Sequence, residues 1–280
     1  MFSCVSKLSV FATIALLAIA GIATAASSAW DGDAKSSVRL IAGNNSAQQT
    51  GQLRAGAEIR LAGGWKTYWR YPGDSGVPPH FDFDKSENVK SVQVAWPAPQ
   101  RIADSEGVTI GYKDGVVFPL KVEPSDAGKP VVLRLKLDYA ICEKLCIPAQ
   151  GQAELKLMPG PADTESAIAA SEKKVPHVAP LGSDTPLAVK SYRRDDSVKP
   201  ARVLVDVASP AGADVTLFAE GPTSDWALPV PEKTDGAPAG LQRFSFALDG
   251  MPPGKTAEGA TIRLTAVSGQ DAIETTIRLD

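Results

Sequence analysis

The sequence is poor in the residues that most protein chemistries require. Its 280 residues include three cysteines and two histidines, and His80 and His177 stand at no zinc-binding spacing from each other or from the cysteines. Neither sign of charge dominates: 29 Lys and Arg against 32 Asp and Glu leave −3. Nucleic acid is attracted by a basic face, and this balance supplies none. After Ala25 no apolar run is long enough to span a bilayer. No residue-level repeat links the two halves of the chain. The reading therefore expects no nucleic acid, no cofactor, no resident metal and no small-molecule substrate.

Export is the first positive signal. Lys7 precedes an uncharged apolar run from Leu8 to Ala20, and Ala23-Thr-Ala25 follows with small residues at the minus-three and minus-one positions. A basic start, a short apolar core and an Ala-x-Ala site form a secretory signal peptide, residues 1–25, cleaved after Ala25. Cys4 leaves with it, and the remaining chain is expected in the periplasm with a formal charge of −4. Two cysteines then remain in an oxidising compartment, where they reside as a disulfide unless something reduces them.

Organisation follows from punctuation and periodicity. Short strands separated by Gly, Pro, Asn and Asp clusters, with 24 Gly and 22 Pro in all, suit β-sandwiches better than helical or βαβ folds. The segments 131–139, 152–157, 57–61 and 89–95 alternate apolar and polar residues, as strands with one buried face do. Residues 30–158 make a first sandwich. Residues 159–184 carry a Pro/Gly break, one helix with Asp163 or Thr164 at its start and Lys173 and Lys174 at its end, and a linker. Strand signals resume at 202–207, 215–218, 242–248 and 261–266, so 185–280 is expected to be a second sandwich of unassigned role. The fold class is all-β.

The pair Cys142 and Cys146 lies in Tyr139-Ala-Ile-Cys-Glu-Lys-Leu-Cys-Ile-Pro148. A disulfide closing so small a ring gains only about 2 kcal/mol from loop entropy. A chain of this size has core enough to do without it. Redox chemistry therefore explains the pair better than stapling. In one straight strand the two residues would stand about 13 Å apart, too far for a bond. Either a reversal across a three-residue loop or a single helical turn brings them together, with Glu143-Lys144-Leu145 at the tip. Lys144 would lower a neighbouring thiol's pKa and Glu143 would raise it, so the sequence alone does not fix the nucleophile.

The run Gly64-Trp-Lys-Thr-Tyr-Trp-Arg-Tyr-Pro-Gly-Asp-Ser-Gly-Val-Pro-Pro79, followed by Phe81-Asp-Phe83, Trp96-Pro-Ala-Pro99 and Asp138–Pro148, resembles the amino-terminal periplasmic domain of the DsbD/ScsB disulfide reductase family over roughly residues 35–158. The resemblance implies an immunoglobulin-like sandwich with a redox-active pair. It also implies an integral-membrane DsbD-, CcdA- or ScsB-like electron donor, oxidised periplasmic proteins as clients, and a protein-disulfide reductase type of activity. The pair has the family's three-residue spacing variant. Cys146 is taken as the attacking thiol and Cys142 as the resolving one. Aromatics beside the disulfide shield it and shape the docking surface in this family, a role carried over to Tyr68 and Tyr71 and, against a competing place in the core, to Trp69; Trp65 is expected in the core. The membrane channel and thioredoxin domain of the full-length pattern are not found in this sequence, so electrons would arrive in trans. Two alternatives stand beside this reading. One is a copper-tolerance protein binding Cu(I) through the Cys142 and Cys146 thiolates. The other is a non-catalytic interaction module with an inert disulfide.

Overall fold

The computed structural model describes residues 26–46, 51–73, 76–104, 107–210 and 213–280. The expected signal peptide lies outside them. The first half contains β1 (Asp31–Gly32), β2 (Ser36–Ala42), β3 (Leu53–Leu61), β4 (Lys66–Gly73), β5 (His80–Asp82), β6 (Val89–Val94), β7 (Gln100–Asp104), β8 (Gly107–Lys113), β9 (Gly115–Pro124), β10 (Val131–Cys142) and β11 (Cys146–Leu157). After α1 (Glu165–Glu172) come β12 (His177–Val178), β13 (Ala188–Asp195), β14 (Arg202–Ala208), β15 (Thr216–Glu220), β16 (Glu232–Thr234), β17 (Leu241–Ala247), β18 (Thr261–Ser268) and β19 (Asp271–Arg278).

Two sheets form the first sandwich, in the orders β1-β2-β3-β9-β6 and β11-β10-β4-β8-β7, with β5 added on β10. Two four-stranded sheets, β12-β19-β18-β15 and β13-β14-β17-β16, form the second. The architecture is all-β and immunoglobulin-like, as expected. Alternation sets the inward faces: Leu133, Leu135 and Leu137 on β10 are buried while Lys136 between them is exposed. Phe81 and Trp96, from the motif words quoted above, close edge-on around Phe118 with ring centroids 5.1 and 5.0 Å away. Their place is in the core, where edge-to-face rings add to area burial.

The helix is anchored to the first sandwich. Arg54 on β3 holds Glu165 at 2.8 Å and Glu172 at 2.6 Å, one carboxylate from each end of α1. Ile168 on the same helix is fully buried. Thr164 stands at the N-cap position, but its hydroxyl donates to the Ala42 carbonyl at 2.6 Å and makes no capping bond. Lys173 is the C-cap residue, and no basic residue lies in the last turn.

Strand β4 joins the two halves. Trp69 on it is wholly buried and tilts against Phe218 of the second sandwich, centroids 5.8 Å apart. Arg70 reaches Glu220 through Nε at 2.9 Å and Nη2 at 2.7 Å, and also pairs with Glu274. Burial pulls the Arg70 guanidinium down in pKa, but hydrogen bonds and charge from Glu220 and then Glu274 outweigh it and hold it above its ordinary value. The Tyr71 hydroxyl donates to the Trp226 carbonyl at 2.6 Å and accepts from the Leu228 amide at 2.5 Å. Hydrophobic burial is continuous across this junction.

Candidate redox site

The site is the free end of the β10–β11 hairpin. Twelve residue pairs run in register from Val131 opposite Leu157 to Cys142 opposite Cys146. The hairpin therefore outruns the alternation at 131–139 and 152–157 read from the sequence, and resolves the choice left open there: the chain reverses across Glu143-Lys144-Leu145, with no helical turn. Side chains of directly opposed residues share a face. Cys142 and Cys146 are joined as a disulfide with Cα atoms 4.1 Å apart.

The two sulfurs differ in surroundings. Cys142 is buried at 3% exposure in a small cluster with Tyr68 and Ala140, whereas Cys146 is exposed. The burial of β10 explains this. From Tyr139 to Cys142 every residue is buried, because the outer face, polar or half-exposed farther back, is covered here. Tyr68 supplies part of the cover. It is 2% exposed, and its hydroxyl lies 3.0 Å from Cys146 Sγ. A disulfide sulfur carries no hydrogen, so the hydroxyl is the donor.

Strand β4 is fixed beneath this contact. Thr67 Oγ1 donates to the Ala140 carbonyl at 2.9 Å, and the β4–β10 pairing sets Lys66 opposite Cys142 and Thr67 opposite Ile141. On the other side Tyr68 stands opposite Gly111 of β8. A β-carbon at Gly111 would meet the Thr67 carbonyl oxygen at 2.0 Å, so no side chain fits. Gly111→Ala is expected to lower stability by about 1–3 kcal/mol through overpacking, read as a lower denaturant midpoint. It should also raise the iodoacetamide reactivity of the reduced Cys142 as β4 shifts.

Proximity and alternation sort the aromatic residues of the motif. Tyr68 points to the sulfurs. Tyr71, expected at the docking surface, and Trp69, for which both the core and the docking surface were open, lie in the main core, and the Tyr71 hydroxyl is spent on the second sandwich. Odd and even positions of a strand face opposite ways, and the face opposite Tyr68 is the inward one. Trp65 packs against the margin of the core with Lys35 Nζ 5.7 Å from its ring centre. Gly76 lies over Tyr68: a β-carbon there would fall 2.5 Å from that ring. At the tip, Glu143 leans over Gly64, whose added β-carbon would lie 3.3 Å from Oε1, and Leu145 is 73% exposed. Among the described residues no three His, Cys, Asp or Glu side chains gather to hold a metal. Thr67, Gly76, Gly111 and Ala140 are site residues to which sequence reading gave no role. Gly76 had been visible only as a turn residue, and Ala140 carries no chemical signal.

A β-sandwich that carries a cross-strand cysteine pair at a hairpin end, one cysteine exposed and one covered, has the form of a thiol–disulfide interchange module. Residues 38–157 match the family described as "Thiol:disulfide interchange protein DsbD, N-terminal", and this segment is a domain of that family. The fold is similar to that of the N-terminal periplasmic domain of ScsB from Proteus mirabilis, with a TM-score of 0.71 and 22% identity, over 91% of this chain and 99% of that one. That likeness extends the shared fold through the second sandwich. No curated protein matches the sequence. Among the described residues no helix is long and apolar enough to cross a membrane.

Proposed function

We propose that this protein is a periplasmic thiol–disulfide exchange module that relays electrons from a membrane-embedded reductase to oxidised periplasmic proteins through Cys142 and Cys146. The observation that carries the reading is the asymmetry of the pair: Cys146 is exposed and Cys142 is covered. Exchange needs access to the attacked sulfur and a leaving thiolate that stays close.

The steps balance as two ordinary exchanges. A donor thiolate attacks Cys146 Sγ, the Cys142–Cys146 bond breaks, and Cys142 leaves as the thiolate. The donor's second thiolate then attacks its own sulfur of the mixed disulfide, leaving the donor oxidised and both cysteines reduced. In the forward direction Cys146 attacks a client disulfide and releases one client thiolate. Cys142 then attacks Cys146 Sγ, releasing the second. Two electrons pass to the client and the intramolecular disulfide is restored.

Tyr68 has a role in both directions. Its hydroxyl is placed to hydrogen-bond Cys146 as thiolate and to cover the sulfurs from small oxidants. A hydrogen bond to a charged group contributes about 1.5–3 kcal/mol. Tyr68→Phe is therefore expected to raise the Cys146 thiol pKa by about one unit or more, measured from the pH dependence of alkylation. An unchanged profile would remove the hydroxyl from the mechanism.

Equilibration of the protein with glutathione buffers, followed by thiol trapping, tests the whole reading. A reduction potential between about −180 and −270 mV fits a working exchanger. A potential below about −300 mV makes the disulfide structural and overturns the proposal.

A further inference from the structure

Two large apolar side chains stand in water at the redox end, Leu145 at 73% and Val77 at 59% exposure. A lone exposed leucine carries no message on a protein surface, but the position of these two does. Leu145 immediately precedes Cys146, and Pro148, exposed on the same face of β11, follows it by two residues. Val77 follows Gly76, which lies over the Tyr68 ring, and the hydroxyl of that ring is 3.0 Å from Cys146 Sγ. Apolar groups therefore border the exposed cysteine before it, after it and beside its tyrosine.

Two other ways of recognising a partner are closed here. β11 is the outermost strand of its sheet, and an extended segment could pair with a free edge. The Gln152 amide points off that edge, where it donates to the Asp31 carboxylate at 2.6 Å. Four residues back along the same edge, Pro148 has no N–H to offer. Strand addition next to the sulfur is thus blocked at Pro148 and spent at Gln152. Charge does not select either: Glu143 and Lys144 at the tip are both exposed and of opposite sign. Recognition falls to apolar side-chain contact.

We propose that Leu145, with Pro148 and Val77, is a specificity-determining contact that selects exchange partners whose cysteine is flanked by apolar side chains. This rests on the exchange reading given above. Consecutive Cα atoms are about 3.8 Å apart, so a partner whose sulfur meets Cys146 in line brings the neighbours of its own cysteine to Leu145. Packing of these groups removes apolar area from water and holds the two sulfurs together during the exchange. So small a patch suits a partner that leaves when the exchange is complete.

Two end-blocked peptides test this, Ala-Leu-Cys-Leu-Ala and Ala-Ser-Cys-Ser-Ala, each with thionitrobenzoate disulfide-linked to its cysteine. In the reduced protein the Cys146 thiolate attacks the peptide sulfur, the bond to thionitrobenzoate breaks, and the coloured thiolate leaves with the electron pair. Cys142 then attacks Cys146 Sγ and frees the peptide thiolate, so two electrons have passed to the aryl disulfide. The leucine peptide is expected to release thionitrobenzoate about tenfold faster than the serine peptide, as partial burial of leucine side chains against one another would produce. Leu145→Ser with Val77→Ser should bring the ratio to about one, and Leu145→Met should keep it. Both positions are exposed, so the core is untouched. The ratio compares two peptides on one protein, so a change in thiol acidity or potential cancels from it. Equal rates in the unmodified protein overturn the proposal, and so does a tenfold ratio that survives in the double serine variant. A potential below about −300 mV with the leucine preference intact would instead sink the exchange reading and leave the apolar contact in place.

Discussion

Cys142→Ser is expected to leave Cys146 joined to its redox partner as a mixed disulfide, while Cys146→Ser forms none. The difference comes from burial. The exposed Cys146 sulfur can be reached in line by a partner, but Cys142 lies under Tyr68 at 3% exposure. With Cys142 gone, nothing intramolecular resolves the first exchange, and turnover should fall to the background of external thiol attack. Either serine variant should therefore lose essentially all catalysed transfer. Only one should trap a partner as a dithiothreitol-sensitive band in periplasmic extract run without reductant. Trapping through Cys142 in the Cys146→Ser protein would reverse the assignment of attacking and resolving thiols. Stability should change little, since the five-residue ring supplies only about 2 kcal/mol.

The second large effect is expected far from the sulfurs. Arg70→Ala leaves Glu220, 6% exposed, without the guanidinium that holds it by two hydrogen bonds. Removing one partner of a buried pair costs about 3–5 kcal/mol, mostly from the charge left behind. The loss falls on the junction of the sandwiches, so unfolding should separate into two transitions, and the segment between Lys173 and Thr185 should become open to protease. Arg70→Met with Glu220→Leu removes the guanidinium and the more deeply buried carboxylate and should recover part of the stability, because only the more exposed Glu274 is left without its partner. A single unshifted transition in Arg70→Ala would show that the apolar contacts of Trp69 and Tyr71 suffice to hold the junction. β4 carries both Arg70 and Tyr68, so alkylation of the reduced pair in Arg70→Ala also measures how far the second sandwich steadies the redox end.

Much of this was legible from local pattern. Local pattern located most of β10, half of β11, all of β6 and parts of β3, β14, β15, β17 and β18, because a strand with one wet face writes its period into the sequence. The cysteine pair stood out through its small ring and the scarcity of other cysteines and histidines. The short helix was bounded correctly to within a residue or two, although Thr164 gives its hydroxyl to a neighbouring strand. Trp69 was read both ways, and only the inward face of β4 decides for the core.

Sequence by itself determined which segments are strands, which two sulfurs can bond and how many residues separate them, since these depend on neighbours a few positions apart. Tertiary structure decided what distant segments do to one another. It chose a hairpin over a helical turn at 142–146 by pairing Cys142 with Cys146 in register. By laying β4 across β10 it covered one cysteine and left the other exposed. It also took Tyr71 from the docking surface to the second sandwich and closed the Arg70 pairs with Glu220 and Glu274, 150 and 204 positions along the chain. Such partners leave no periodic mark in sequence, because burial of a charge or a hydroxyl depends on which strand arrives opposite it, and only the assembled sheets specify that.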